Sequence, residues 1–299
     1  MNRRHFIQTT AMAATATAAA LALPSTRAEE PAKGVKWPIG CFNRPWREVG
    51  GDITTALEGM KAAGYKTAGL LTRNNAEPFI GSDATAEYLH ELKTVIEASG
   101  LKANMGALRV RAGVSADDAI ADVRKQIDHA HMLDVEFLLT FGVDRPSDYE
   151  VYYQTMKDAA AYAHERKLKL VLKPHGGGSG AAEEITRCME KVAHPNFKIW
   201  YDAGNIIYYT GKDPIEQLKP IVQHVTGFCA KDCDKLKGNV WLEFGTGKVD
   251  FAAVFGEVKK AGFNGPVMVE CCARGKTADA MTANAQKNRE FLEKLFATL

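Results

Sequence analysis

The chain has 299 residues, with 38 Lys and Arg against 36 Asp and Glu, so its formal net charge is only +2. Such a balance gives no electrostatic reason to expect nucleic acid or a membrane surface as the partner. The length and a hydrophobic content of 46% are sufficient for one large core in a single domain. No nucleic-acid partner is therefore expected, and a homo-oligomer is compatible with this composition.

The first 28 residues read as a targeting segment. Arg3-Arg4 precedes an apolar Ala/Thr-rich run over 9–23, and small residues follow up to Ala28. This pattern is typical of a twin-arginine signal peptide. The run of about 15 residues is shorter than the roughly 20 needed to span a bilayer, so no stable membrane anchor is expected. The sequence thus predicts a signal peptide over 1–28, a mature domain over 29–299 with net charge −1, and a periplasmic or secreted location. The alternative is an anchoring or unfolded N-terminus.

Apolar runs alternate with amphipathic stretches along the rest of the chain, which is the βαβ pattern of a parallel sheet. The predicted strands span 35–42, 66–72, 102–108, 135–142, 168–173, 197–202, 225–231 and 266–271. The predicted helices span 52–63, 83–98, 115–132, 148–166, 181–193, 213–223, 250–262 and 277–297. Eight pairs are the number that closes an α/β barrel, so the predicted fold is a (β/α)8 TIM barrel.

The last four predicted strands end abruptly in polar or sulfur-containing side chains. Strands buried on both faces should be continuously hydrophobic, and the carboxyl ends of barrel strands carry the active site. These residues are Lys173, His175, Asp202, Asn205, Cys229, Lys231, Asp232 and Glu270. The loops that follow the strands are also longer than those that precede them. The longest, 232–249, is predicted to act as a lid over the site.

Several motifs at these strand ends are similar to one known group. They are the Asp-Ala-Gly-Asn turn at 202–205, Lys-Asp at 231–232, Gly-x-Gly-x-Val-Asp-Phe at 245–251, and Glu270. Together they resemble the sugar phosphate isomerase/epimerase superfamily, the xylose isomerase-like TIM barrels, over nearly the whole mature chain. The resemblance implies an isomerase or epimerase that moves a proton beside a carbonyl of a small carbohydrate, either a sugar or a sugar phosphate.

The resemblance also implies a metal site, but two of its positions differ here. The family's Glu, Asp, His and Glu around one divalent ion correspond to Lys173, Asp202, Cys229 and Glu270. One alternative is a divalent metal (Zn, Mn or Mg) on Asp202, Glu270, His175 and Cys229, where the softer Cys and His favour zinc. The other is a site without metal, because an ammonium group beside a divalent cation is strongly repelled.

Lys173 has several possible roles. One is to substitute for the metal, with its charge paired to Asp202 and Glu270 and directed at a substrate carbonyl. A lowered pKa would instead make it a base or Schiff-base nucleophile. It could also form a purely structural ion pair with Glu270, or turn away from the site.

The catalytic roles expected from these residues are as follows. Glu270 takes or returns the proton, Lys173 stabilises the enolate oxygen, and His175 or Lys231 is the second acid or base. The predicted substrate-binding residues are Asn43, Arg44, Asn205 and Trp241. The same pocket could serve a keto-sugar lyase or hydratase, or a non-catalytic carbohydrate-binding barrel, and the sequence does not separate these alternatives.

Five of the six cysteines lie on or just beyond the first, seventh and eighth predicted strands, which are neighbours in a closed barrel. They are Cys41, Cys229, Cys233, Cys271 and Cys272. They are interpreted either as small buried hydrophobic residues or as the source of a disulfide among Cys229, Cys233 and Cys272.

Overall fold

The computed structural model describes residues 34–299, so the predicted signal peptide lies outside the described residues. Eight parallel strands close a barrel in chain order. The strands are β1 (Ile39–Phe42), β2 (Thr67–Leu70), β3 (Lys102–Ala107), β4 (Phe137–Thr140), β5 (Lys169–Leu172), β6 (Phe197–Tyr201), β7 (Val225–Ala230) and β8 (Val267–Val269). The (β/α)8 TIM barrel predicted from the sequence is confirmed.

Helices surround this barrel. They are α1 (Arg44–Arg47), α2 (Ile53–Ala62), α3 (Ala86–Ser99), α4 (Ala116–Met132), α5 (Tyr149–Glu165), α6 (Ala182–Val192), α7 (Ala203–Thr210), α8 (Pro214–Leu218), α9 (Phe251–Lys260) and α10 (Ala278–Thr298). Within residues 34–299, no helix is long and apolar enough to cross a membrane.

The helices differ from those predicted from the sequence at three places. The segment 203–212 was predicted as a loop, but most of it is α7, because the Asp202 carboxylate accepts the N–H of Asn205 at 2.8 Å and caps the helix. The predicted helix over 213–223 breaks after α8 into a 3-10 turn over 219–224. Pro220 lies in that turn and has no N–H to continue an α-helix. Helix α1 is a single turn that was also missed.

The barrel interior is a compact apolar layer distinct from the larger core between the strands and the helices. Its buried residues are Phe42, Leu71, Met105, Ala107, Phe137, Leu139, Val171, Trp200, Cys229 and Met268. Trp200 occupies the space beside Gly227, where a Cβ atom would lie 2.1 Å from the indole nitrogen. Only glycine therefore fits at that position of β7. This layer forms the floor on which the polar side chains of the barrel mouth stand.

All six cysteines are buried and free in the described part of the chain. The interpretation as small buried residues is confirmed, and no disulfide links Cys229, Cys233 and Cys272 in this structure.

Candidate active site

A ring of eight side chains lines the carboxyl-terminal mouth of the barrel. Each lies two residues beyond an inward-facing apolar residue, so the alternation of side chains along a strand directs it to the same interior face. The ring consists of Arg44, Arg73, Arg109, Phe141, Lys173, Asp202, Lys231 and Glu270. Five members are cationic and two are anionic. The mouth is therefore a concentrated and predominantly positive arrangement of charge.

Two lysines and two carboxylates form the centre of this ring. Nζ of Lys173 donates to Glu270 and lies 3.2 Å from Oδ2 of Asp202. Nζ of Lys231 lies 2.9 Å from Oε1 of Glu270 and 3.3 Å from Oδ2 of Asp202. All four side chains are at most 3% exposed. Each carboxylate is thus shared by two ammonium groups in a nearly dry environment.

Glu270 carries a third cation. Its Oε1 accepts a hydrogen bond from Nη1 of Arg44 at 2.5 Å. Burial opposes ionisation of this carboxyl, but Lys173, Lys231 and Arg44 outweigh it and hold the pKa of Glu270 well below its usual range. Glu270 is therefore firmly ionised, and its oxygens are occupied by cationic donors, which makes it a weak proton acceptor.

Asp202 differs from Glu270 in its surroundings. Burial raises the pKa of Asp202 above its ordinary value, while Lys231 and Lys173 act in the opposite direction. Its Oδ1 accepts the backbone N–H of Asn205, and its Oδ2 lacks a well-aligned hydrogen bond within residues 34–299 despite the two nearby ammonium groups. Asp202 is thus the more basic of the two carboxylates.

The protonation of Lys173 follows from the same charges. Burial by itself lowers the pKa of Lys173, but the carboxylates of Glu270 and Asp202 outweigh it, and the pKa lies above its ordinary value. A lysine that nucleophilically attacks a carbonyl must be unprotonated. This environment therefore favours Lys173 as a permanent ammonium group and not as a Schiff-base nucleophile or base.

His175 lies at the edge of the ring and contacts Tyr209. The Tyr209 hydroxyl is 3.0 Å from Nε2 of His175, and the Phe141 ring meets the imidazole edge-on at 5.2 Å. Burial, together with Lys173 and Lys231, lowers the pKa of His175 to about 3. Burial raises the pKa of Tyr209 to about 12. At neutral pH, the pair therefore consists of a neutral imidazole and a neutral phenol.

A cleft of about 360 Å³ opens above this cluster. Its lining residues are Arg44, His175, Asn205, Tyr208, Tyr209, Lys231, Gly238, Asn239, Val240, Trp241 and Arg274. The guanidinium groups of Arg44 and Arg274 each lie 5.2 Å from the Trp241 ring centroid. The cleft is large enough for a monosaccharide-sized ligand, and Lys231 is the member of the buried charge cluster that lines it. A larger depression of about 760 Å³ lies at the opposite end of the barrel, away from the ring.

The four predicted substrate-binding residues fall into two groups. Arg44, Asn205 and Trp241 line the cleft. Asn43 does not, because its Oδ1 accepts the N–H groups of Leu71 and Thr72 and its Nδ2 donates to the carbonyl of Thr72. Asn43 is fully buried and joins the ends of neighbouring strands, which is a structural role.

Asp232 fixes the long loop over 232–249. Its carboxylate accepts four backbone N–H groups, those of Cys233, Gly245, Gly247 and Val249, at 2.8–3.1 Å. A buried carboxylate bound to several amides holds a loop rigidly. The loop contributes residues 238–241 to the lining of the cleft, and Asp232 ties its beginning to its end. Its role as a lid stays a prediction.

The donor set does not fit a divalent metal. In the part of the chain that the structure describes, no three His, Cys, Asp or Glu side chains are placed to hold a metal ion. Cys229 is fully buried in the apolar layer, and burial raises the pKa of its thiol well above the ordinary value, whereas a metal ligand must be a thiolate. His175 is turned to Tyr209, and the oxygens of Asp202 and Glu270 face two ammonium groups. A divalent ion placed there would have to displace them.

Sequence reasoning missed four residues at the mouth: Arg73, Arg109, Phe141 and Arg274. Arg109 and Phe141 lie two residues beyond inward apolar residues of the third and fourth strands, so counting the side-chain alternation past each strand end could have found them. The third and fourth predicted strands do not end in the abrupt change from apolar to polar residues that marks the last four strands. Arg274 lies in the loop after β8 and carries no comparable signal.

Similar folds occur in several solved structures. A xylose isomerase domain protein from Planctomyces limnophilus has 19% identity and a TM-score of 0.64, covering 87% of this chain and 96% of that one. D-psicose 3-epimerase with D-tagatose from Clostridium cellulolyticum has 14% identity and a TM-score of 0.69, covering 87% and 99%. A xylose isomerase-like TIM barrel protein from Mycobacterium smegmatis in complex with magnesium has 14% identity and a TM-score of 0.69, covering 88% and 98%.

At these identities the solved structures support the fold alone. No curated protein matches the chain. The sequence pattern of one family, however, matches residues 57–295, which is most of the chain. On this match, the protein belongs to the xylose isomerase-like TIM barrel family.

Proposed function

We propose that this protein is an enzyme that transfers a proton at a carbon beside a carbonyl of a small carbohydrate, as an isomerase or epimerase does. We further propose that ammonium groups, and not a metal ion, stabilise the negative charge that develops on the carbonyl oxygen. The observation that carries the proposal is that Lys173 and Lys231 both contact Asp202 and Glu270, the two carboxylates that match the family's metal ligands.

Lys231 is the group suited to meet the substrate oxygen. It lines the cleft, whereas Lys173, Asp202 and Glu270 lie beneath it. Two carboxylates fix its ammonium group in position before any substrate arrives. A preorganised positive charge in a site with little water stabilises an enolate oxygen more strongly than the same charge does in solution. Lys173 adds a second positive charge behind Lys231 and keeps the carboxylates neutralised.

His175 is the side chain in the cleft that is suited to take the proton. The electrons of the substrate C–H bond form the enolate double bond, the negative charge moves to the oxygen beside Lys231, and the proton passes to the imidazole. The pKa of His175 is low partly because of Lys173 and Lys231. Negative charge on the substrate oxygen reduces the positive electrostatic potential that these lysines produce at His175. The pKa of His175 therefore rises as the enolate forms.

Return of the proton completes the reaction. Delivery to the neighbouring carbon, with the hydroxyl proton passing from one oxygen of the enediol to the other, gives an isomer. Delivery to the opposite face of the same carbon, after the enediol has turned that face to His175, gives an epimer. Glu270 was expected from the sequence to move the proton itself. Since three cations occupy its oxygens, Glu270 instead holds Arg44, Lys173 and Lys231 in place.

The test is incorporation of solvent deuterium into carbon-bound positions. The purified protein is incubated in deuterated water with a panel of small aldoses and ketoses, and products are read by NMR. Lys231→Met should reduce exchange by about 100-fold or more, because the oxyanion loses its main partner. Lys169→Met is the matched control, since Lys169 lies at the opposite end of the strand that precedes Lys173 and pairs with Glu136.

The product distinguishes the alternatives that share this pocket. A lyase or hydratase would begin with the same proton removal but yield a dehydrated or hydrated sugar. A non-catalytic carbohydrate-binding barrel would bind a sugar without any exchange. Absence of exchange for every sugar that binds would therefore reject the proposed enzyme.

A further inference from the structure

Arg109 is a cation of the mouth ring that has no carboxylate partner. Among residues 34–299, no Asp or Glu oxygen lies within 4 Å of its guanidinium group, whereas Arg73 in the same ring pairs with Asp83 at 3.0 Å. The closest polar contact of the Arg109 side chain is the Leu71 carbonyl, at 3.4 Å from Nη2. Partial burial of an arginine without a counter-ion lowers the stability of the folded protein. Such a cost is expected where the cation binds a ligand.

The position of Arg109 is nevertheless firmly built. The buried side chain of Gln126 accepts the Arg109 N–H at 2.9 Å and donates to the Arg109 carbonyl at 2.7 Å. The guanidinium carbon lies 4.2 Å from the centroid of the Phe141 ring. Two backbone hydrogen bonds and one aromatic face thus set the orientation of this cation before any ligand binds.

Phe141 connects Arg109 to the proposed site. The same ring lies 5.7 Å from Nζ of Lys173 and contacts the imidazole of His175 edge-on. Arg109 and Lys173 therefore lie around one aromatic side chain at the mouth. Burial and the nearby Arg73 lower the pKa of Arg109, and they outweigh the more distant Glu270, which acts in the opposite direction.

The charge balance of the eight-residue ring points the same way. Five of the eight ring members are cationic and two are anionic, and Asp83 neutralises Arg73. A surplus of two positive charges remains, to which Arg109 contributes one. A neutral sugar would leave this surplus uncompensated. A ligand with one negatively charged group would balance much of it.

We propose that Arg109 binds an anionic group of the substrate, a carboxylate or a phosphate, and so selects a charged sugar over a neutral one. The planar guanidinium group donates two parallel hydrogen bonds to either group. The rest of the sugar then extends past Phe141 toward His175 and Lys231. This inference rests on the proposed function for the identity of the site, and it adds the substrate class and a specificity-determining residue.

The test is equilibrium binding measured by isothermal titration calorimetry on the purified full chain. The probes are D-glucose, D-glucuronate and D-glucose 6-phosphate, which share a hexose and differ in charge. At least one anionic probe should bind about 10-fold or more tightly than glucose, as expected for charge-assisted hydrogen bonds. Preference for glucuronate would identify a carboxylate, and preference for glucose 6-phosphate a phosphate.

Variants assign the preference to Arg109. Arg109→Gln should remove it, and Arg109→Lys should retain part of it. Arg111→Gln is the matched control, because Arg111 is 58% exposed on the same loop and faces Asp122. Circular dichroism of Arg109→Gln checks that the variant is folded. Equal binding of the three probes, no saturable binding of either anion, or a preference that survives in folded Arg109→Gln would overturn the inference.

The anion site and the proposed reaction can be contradicted separately. If anionic probes bind through Arg109 but no compound exchanges hydrogen with solvent, the proposed reaction is wrong and the anion site stands. If exchange occurs equally on charged and neutral sugars and is unaffected by Arg109→Gln, the anion site is wrong and the proposed reaction stands.

Discussion

Lys173 and Lys231 follow different strands, yet each contacts both Asp202 and Glu270. The four side chains form a buried square of alternating charges, with Arg44 attached to one corner. Removal of one member of a buried ion pair leaves the others uncompensated, which is more destabilising than removal of an oppositely charged pair. The square is therefore expected to behave as one energetic unit.

Lys173→Met should destabilise the protein by about 3–5 kcal/mol, because it leaves carboxylates buried with fewer counter-charges. Urea denaturation followed by circular dichroism measures this change in the free energy of unfolding. The double variant Lys173→Met/Glu270→Gln removes one charge of each sign. We expect it to be less destabilised than the sum of the two single variants by about 1–3 kcal/mol. Simple additivity would show that the charges are not coupled.

The acid stability of the protein should depend on His175. Its pKa in the folded state is about 3, below the ordinary value of about 6.5. As the pH falls below about 6.5, His175 binds a proton in the unfolded chain but not in the folded protein. The free energy of unfolding therefore decreases in this range. Between pH 6.5 and pH 5 this contribution should be about 1–2 kcal/mol, since each pH unit is worth at most about 1.4 kcal/mol.

Urea titrations at both pH values measure the effect. His175→Gln should lose less stability than the wild type over this interval. The exposed His90 provides the control, and His90→Gln should follow the wild type. An identical loss in His175→Gln and the wild type would contradict the low pKa of His175.

The loop over 232–249 should loosen when Asp232 is removed. Asp232→Ala leaves four backbone N–H groups without their acceptor, and each unsatisfied buried donor costs about 1–3 kcal/mol before water or relaxation compensates. Hydrogen exchange followed by mass spectrometry should show faster exchange of the amides of Gly245, Gly247 and Val249. Lys235→Ala is the control, because Lys235 is exposed on the same loop. Unchanged protection of these amides would mean that other contacts anchor the loop.

The fold could be predicted from the sequence because it depends on local patterns. Eight apolar runs, their alternation with amphipathic stretches, and prolines and glycines at the boundaries determine a (β/α)8 barrel without any knowledge of distant contacts. Helix α7 was not predicted, because Asp202 has two roles. Its carboxylate belongs to the charge cluster, and the same group caps the helix that follows.

The candidate site could be predicted only in part. Polar residues at strand ends indicated where Lys173, Asp202, Lys231 and Glu270 meet, since barrel strands bring their carboxyl ends together. The sequence does not say which cation faces which carboxylate, because that depends on side-chain conformations across the barrel. Asn43 shows the same limit, since its amide is used by the backbone of a neighbouring strand and is not free for a sugar.

The central claim is that ammonium groups replace a metal ion at Asp202 and Glu270. It is tested most directly by elemental analysis of the purified active protein, paired with deuterium exchange before and after treatment with a chelator. The account predicts no stoichiometric Zn, Mn or Mg, and a rate of exchange that chelation leaves unchanged. One tightly bound divalent ion per chain, lost together with exchange activity on chelation and restored with it on re-addition, would contradict the account.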